Sequence, residues 1–225
     1  MSNIIDITGI IYEGMWDLEP PTPPFKMRPF PRLPWLDYDV YMETFEMHSQ
    51  TGTYLETPGH FFGYEQSYLI HEVDAAELTN RPCVVLNVGS INPNNENKRF
   101  PITLEHILEC PNIDHIQKGD AILICAHWGH MWKHADYLKN APYISLDAMK
   151  WLVSKEPFLL GGDIPRWENL EKPTGIFDVF KDSGSLLMGP AVNLEKVTKP
   201  RVSITVLPLK IKGTCCAPCR AVIVE

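Results

Sequence analysis

The chain has 225 residues, of which 28 are acidic and 20 basic, for a formal net charge of −8, and 44% are hydrophobic. That size and apolar content suit one globular α/β-sized domain with a substantial core, while the acidic balance excludes a basic nucleic-acid footprint or attraction to an anionic membrane surface. No apolar run approaches the ~20 residues of a membrane span. Residues 1–6 lack a basic region followed by an apolar stretch, so no leader is expected and a cytoplasmic location is. The six cysteines fit a reducing compartment.

Residues 4–8 alternate as a short strand, and Ile11 and Tyr12 extend the chain beyond Gly9. Glu13-Gly14-Met15-Trp16 follows, and then a proline-rich arm over 20–35 with Phe25, Phe30 and Trp35 set among the prolines. Proline has no backbone donor, so the arm reads as an extended loop rather than an interior strand or helix. Its aromatics are expected to pack on the domain or to make an oligomer contact, with a lid as the alternative. Residues 38–50 alternate as a strand with Met42, Thr44, Glu46, His48 and Gln50 on one face. The segment from Gln50 to His60 then packs two glycines, a proline, Glu56 and His60 into a rigid loop at a strand end, where α/β proteins place chemistry.

Residues 68–79 read as a loop and short helix, and 92–98 as a polar turn. Continuous apolar runs over 82–88, 121–125 and 158–163 read as buried strands. Thr103 and Ser145 cap helices. If 126–134 is helical, His127, His130 and His134 share one face; two of them could then serve a transition metal, the outermost pair being ~10 Å apart. The alternative is a pocket wall in which Trp128 and Trp132 face a flat substrate. Cys83 and Cys125 read as small buried hydrophobes. Cys215-Cys216-Ala217-Pro218-Cys219 contains a C-x-x-C, but a strand follows it instead of a helix start and no further ligands complete a site, so a structural role is expected. Residues 202–209 and 221–224 supply the last strands.

The segment 50–60 resembles the signature of the cyclase family of metal-dependent hydrolases, which includes bacterial kynurenine formamidase and isatin hydrolase and reads H-x-G-T-H-x-D-x-P-x-H. Gly52, Thr53, Pro58 and His60 match it, while Gln50, Tyr54 and Glu56 stand where the family has histidine, histidine and aspartate. Gly161 and Asp163 resemble the family's G-x-D, and similar short pieces at 193–195, 208–210 and 218–221 carry the resemblance over nearly the whole chain. The resemblance implies an α/β fold of one domain over 1–225, a mixed β-sheet flanked by helices, and a homodimer or higher homo-oligomer. It also implies a divalent metal, zinc or manganese, that activates water against a small amide or cyclic amide.

Carried onto this chain, the resemblance makes Glu56 and His60 the catalytic pair and the remaining metal ligands. It places Trp16, Gln50, Tyr54, His127, Trp128 and Asp163 around the substrate, with His127 or His130 assisting. Gln50 offers a neutral carbonyl oxygen and Tyr54 a phenol that is a poor ligand near neutral pH. The positions of the family's later histidine and glutamate hold Phe177 and Gly189. His48 either pairs with a neighbouring polar group or replaces the lost first ligand, although two residues along a strand displace the ring by ~6–7 Å. Without metal, Glu56 would orient His60 as a base. Two functions stay open: an arylformamidase-like hydrolase with a weakened metal site, or a member without turnover that binds a small aromatic ligand or serves as a structural subunit.

Overall fold

The computed structural model describes residues 3–91 and 98–225, so the turn expected over 92–98 lies outside them apart from Lys98. Short edge strand β1 (Ile4–Asp6) is followed by a hairpin of β2 (Lys26–Pro29) and β3 (Glu43–Glu46), then by β4 (Tyr54–Glu56) and the one-turn helix α1 (Gly59–Phe62). β5 (Arg81–Asn87), β6 (Pro101–Ile102), α2 (Leu104–Leu108), β7 (Ala121–Cys125), β8 (Tyr143–Ile144), α3 (Leu146–Ser154) and β9 (Leu159–Gly162) form the middle of the chain. It ends with α4 (Ile176–Lys181), β10 (Leu186–Gly189), β11 (Val202–Pro208) and β12 (Cys216–Val224).

β5, β7, β9 and β10 run parallel, and β11 joins β5 from the other direction. β12 pairs with β11 over Cys219–Val224, and its start, Cys216 to Pro218, pairs with β4. Because β4 also pairs with β10, seven strands close into a ring. The expected mixed sheet is therefore present, but it is not an open sheet between helical layers. Side chains alternate across each strand: Leu55, Val85, Leu123 and Met188 fill the interior with the small inward residues Ala217 and Ala221 of β12. Val84, Ile122, Ile124 and Leu187 point outward, where Ile107, Met149, Leu152 and Phe180 from α2, α3 and α4 cover them. Both faces of β7 are buried, which is why its five residues read as an unbroken apolar run.

Gly161 faces the interior, where a Cβ would lie 2.7 Å from Leu123 Cδ2 and 3.1 Å from the Met188 carbonyl. Ser145 caps α3, its Oγ accepting from the Ala148 amide, and Thr103 caps α2 in the same way.

The proline-rich arm holds a strand where only loop was expected. Pro29 ends β2 on a two-stranded ladder outside the main sheet, so its missing donor interrupts nothing central. The strand expected over 38–50 shortens to β3. Trp35 of this arm is exposed, as are Tyr38, Tyr41 and Phe45 beyond it. Among the described residues no helix is long and apolar enough to cross a membrane.

Gly161→Ala should lower the stability by about 2 kcal/mol, the usual effect of overpacking a closed core, measured as a lower urea midpoint at unchanged slope.

Candidate active site

The matched motif residues build the loop. Gly52 has φ +72°, and a Cβ there would sit 2.7 Å from Ile11 Cγ1. The Thr53 hydroxyl donates to the Pro190 carbonyl at 2.7 Å and accepts from the Gly9 amide at 3.0 Å. The Thr57 hydroxyl donates to the Tyr68 carbonyl at 2.9 Å. With Leu55 turned into the ring, alternation turns Tyr54 and Glu56 to its outer surface, opposite Pro218 and Cys216 of β12.

Glu56 is 2% exposed. Its Oε2 accepts from Gln50 Nε2 at 3.0 Å and from the Cys216 thiol at 3.8 Å, yet burial outweighs both and raises the carboxyl to about 7. Burial also holds the Tyr54 phenol well above its ordinary value, with the Glu56 charge adding to it. His60, in α1, is exposed at its outer edge, while its Nδ1 lies 3.5 Å from Cys216 Sγ and 3.8 Å from Cys215 Sγ. Desolvation of that inner side lowers the imidazole pKa. Neighbouring Thr214 ties the backbone of Cys216 through its hydroxyl.

Gln50, Tyr54, Glu56 and His60 line one side of a cleft of about 310 Å³. Phe61, Trp167, Phe177 and Leu187 give it apolar walls beside the charged Glu19, Arg166 and Glu168, with the Phe61 and Phe177 rings 5.1 Å apart. The position of the family's later histidine thus carries a cleft-lining ring. Gly189 pairs with Tyr54 across β10 and β4, and a Cβ there would lie 3.5 Å from Trp167 Nε1. An ion pair of Arg166 with Glu19 closes the cleft towards a second, more polar cavity.

The other sequence candidates lie elsewhere, and none of the following lines this cleft. Asp163 is fully buried and accepts from the amides of Ala126 and Trp128, each at 2.8 Å, and of Gly129 at 3.4 Å. Burial raises its carboxyl to about 6. It fixes the turn after β7, where His127 takes φ 55° and Gly129–Lys133 forms a 3₁₀ turn. That positive φ breaks the helix expected over 126–134, so the three histidines do not share a stripe. His127 Nε2 meets Asn87 Oδ1 at 2.9 Å, His130 Nδ1 meets the His127 carbonyl at 2.5 Å, and His134 pairs with Asp136. Trp128 is buried and donates to the Tyr137 carbonyl at 3.0 Å. Trp132 is buried as well and donates to the Ile10 carbonyl at 2.9 Å. Trp16 packs on Trp132 and Tyr137 and borders the second cavity. His48 lies 3.4 Å from Asp17 and its Nδ1 accepts from the Gln50 amide at 3.2 Å, so it pairs with polar neighbours and does not line the cleft.

The family model named Cyclase matches residues 5–169. The chain belongs to the cyclase family. Isatin hydrolase A from Ralstonia solanacearum is 18% identical over 99% of this chain and 92% of its own, with a TM-score of 0.81. Isatin hydrolase A from Labrenzia aggregata, bound to benzyl benzoate, is 19% identical over 99% and 93%, at 0.83. A predicted metal-dependent hydrolase from Bacillus stearothermophilus is 21% identical over 100% and 98%, at 0.74. These likenesses show a shared fold. No curated protein matches the chain.

Within the cyclase motif, only Glu56 and His60 are good ligands for a divalent ion, since Gln50 is neutral and the Tyr54 phenol is held protonated. The residues present fit such an ion once Cys215 and Cys216 are counted, because their sulfurs and His60 lie within 4.8 Å of one another. The two thiols lie beyond the segment the family model matches. Sequence reasoning set them aside because nothing along the chain said that β12 begins beside β4. It also missed Glu168, which lines the cleft and accepts from the amides of Thr174, Gly175 and Ile176 at the start of α4. Arg99 was missed too; its guanidinium donates to the carbonyls of Ala141, Pro142, Arg166 and Glu168 and holds the cleft's far wall.

Asp163→Ala should destabilise the protein by about 3 kcal/mol, because buried amides lose their acceptor. Asp163→Asn, which keeps one acceptor oxygen, should lose less; thermal melts of the two variants check the order.

Proposed function

We propose that the chain hydrolyses the C–N bond of a small amide or cyclic amide carrying a flat ring. The observation that carries this reading is a carboxylate buried to 2% exposure at the wall of an apolar cleft of about 310 Å³. A volume of that order suits a single small ligand. The names of the isatin hydrolases with the same fold support the reaction class.

Glu56 is the proton carrier. Gln50 holds its Oε2, which fixes the carboxylate plane. Glu56 accepts a proton as the oxygen of a water attacks the substrate carbonyl, and returns it to the nitrogen as the C–N bond breaks, giving an acid and an amine. The carboxyl value of about 7 lets one group serve in both directions near neutral pH. Phe61, Phe177 and Trp167 hold the ring and keep bulk water from it. A divalent ion held by His60, Cys215 and Cys216 supplies polarisation of the carbonyl when bound.

Glu56→Gln should lower kcat/KM for isatin or N-formylkynurenine by roughly 10²-fold or more, mostly in kcat, since it removes a general base of the usual worth. Phe177→Ala should act mainly on KM. A Glu56→Gln variant as active as the wild type, or no turnover of any aromatic amide by protein that binds it, would overturn the assignment in favour of a binding role.

A further inference from the structure

We propose that His60, Cys215 and Cys216 form a thiolate-rich site that takes zinc and rejects manganese, at the end of the cleft that His60 lines. This deepens the hydrolase reading and rests on it for the ion's use, whereas the ion's binding is measured without substrate.

The spacing of the three donor atoms carries the assignment. Cys215 Sγ and Cys216 Sγ are 3.6 Å apart, and His60 Nδ1 lies 3.8 Å and 3.5 Å from them. A tetrahedral zinc with Zn–S of ~2.3 Å and Zn–N of ~2.0–2.1 Å has S···S edges of about 3.8 Å and S···N edges of about 3.6 Å. The triangle therefore matches a zinc face to within a few tenths of an ångström. Glu56 Oε2 lies 3.8 Å from Cys216 Sγ, next to this triangle and not part of it.

The backbone holds this arrangement in advance. Successive residues of a strand face opposite ways, but Cys215 sits at a bend immediately before β12, so both sulfurs reach one side. The Cys215 carbonyl accepts from the Thr57 amide at 2.9 Å, which ties the bend to the motif loop. A disulfide suits the pair poorly, because consecutive Cα atoms stand ~3.8 Å apart and disulfides usually span ~4.4–6.8 Å. The cysteines of the chain are free.

Two thiolates and an imidazole select a thiophilic ion, whereas manganese prefers oxygen. On binding, each thiol gives its proton to solvent, so the two thiolate charges cancel those of the ion. A neutral unit can then sit at 4% and 2% exposure beside a second, protonatable acid.

The test uses the full chain, stripped with chelator under reducing conditions and titrated with zinc, manganese or cobalt. Metal analysis after desalting should give about one zinc per chain and no retained manganese, the outcome for a single thiolate site. The cobalt form should show a sulfur-to-cobalt charge-transfer band. Cys215→Ser and His60→Ala should each lower zinc affinity at least tenfold, with circular dichroism confirming the fold, and Cys110→Ser should bind as the wild type does. Wild-type protein that retains no zinc, or cobalt bound without the sulfur band, overturns the proposal whatever the variants do. Zinc bound without amide turnover would sink only the hydrolase reading, and turnover without zinc only this one.

Discussion

Everything at the site depends on the ladder between β4 and β12. Closing the sheet there brings Cys216 opposite Glu56 and sets the outward side chains of two remote segments against each other. The same closure buries the inward face of every strand in the ring and puts the helices outside. The cleft lies on that outer surface, at the seam, where helical cover gives way to α1 and the wall built from residues 165–170.

A buried acid is costly unless it is paired, hydrogen-bonded or protonated. Glu56 and Asp163 meet this condition differently. Three backbone amides of one tight turn satisfy Asp163, which makes it an architectural group. Glu56 has one amide side chain and one thiol as partners, too little to hold it ionised, and it faces a cavity. On the proposed reading, this poorly satisfied carboxylate beside open space is the group that exchanges protons.

Gln50 donates to Glu56, and Tyr54 and Phe177 line the cleft. At the start of β12 two sulfurs face the His60 imidazole.

Much of the fold was legible in the chain alone. The buried strands β5, β7 and β9 announce themselves by continuous apolar runs, and Ser145 and Thr103 mark helix starts through local hydrogen bonding, so local physics decided them. The family and its scaffold loop followed from the order and spacing of Gly52, Thr53, Pro58 and His60, although Gly52 and Thr53 do their work against distant Ile11, Gly9 and Pro190. Ring closure, the turn that parts His127 from His130, and the meeting of Cys215 and Cys216 with His60 were decided only by tertiary structure. Each depends on which distant strand a segment pairs with, or on a buried acceptor such as Asp163, and neither leaves a period or spacing in the sequence to read.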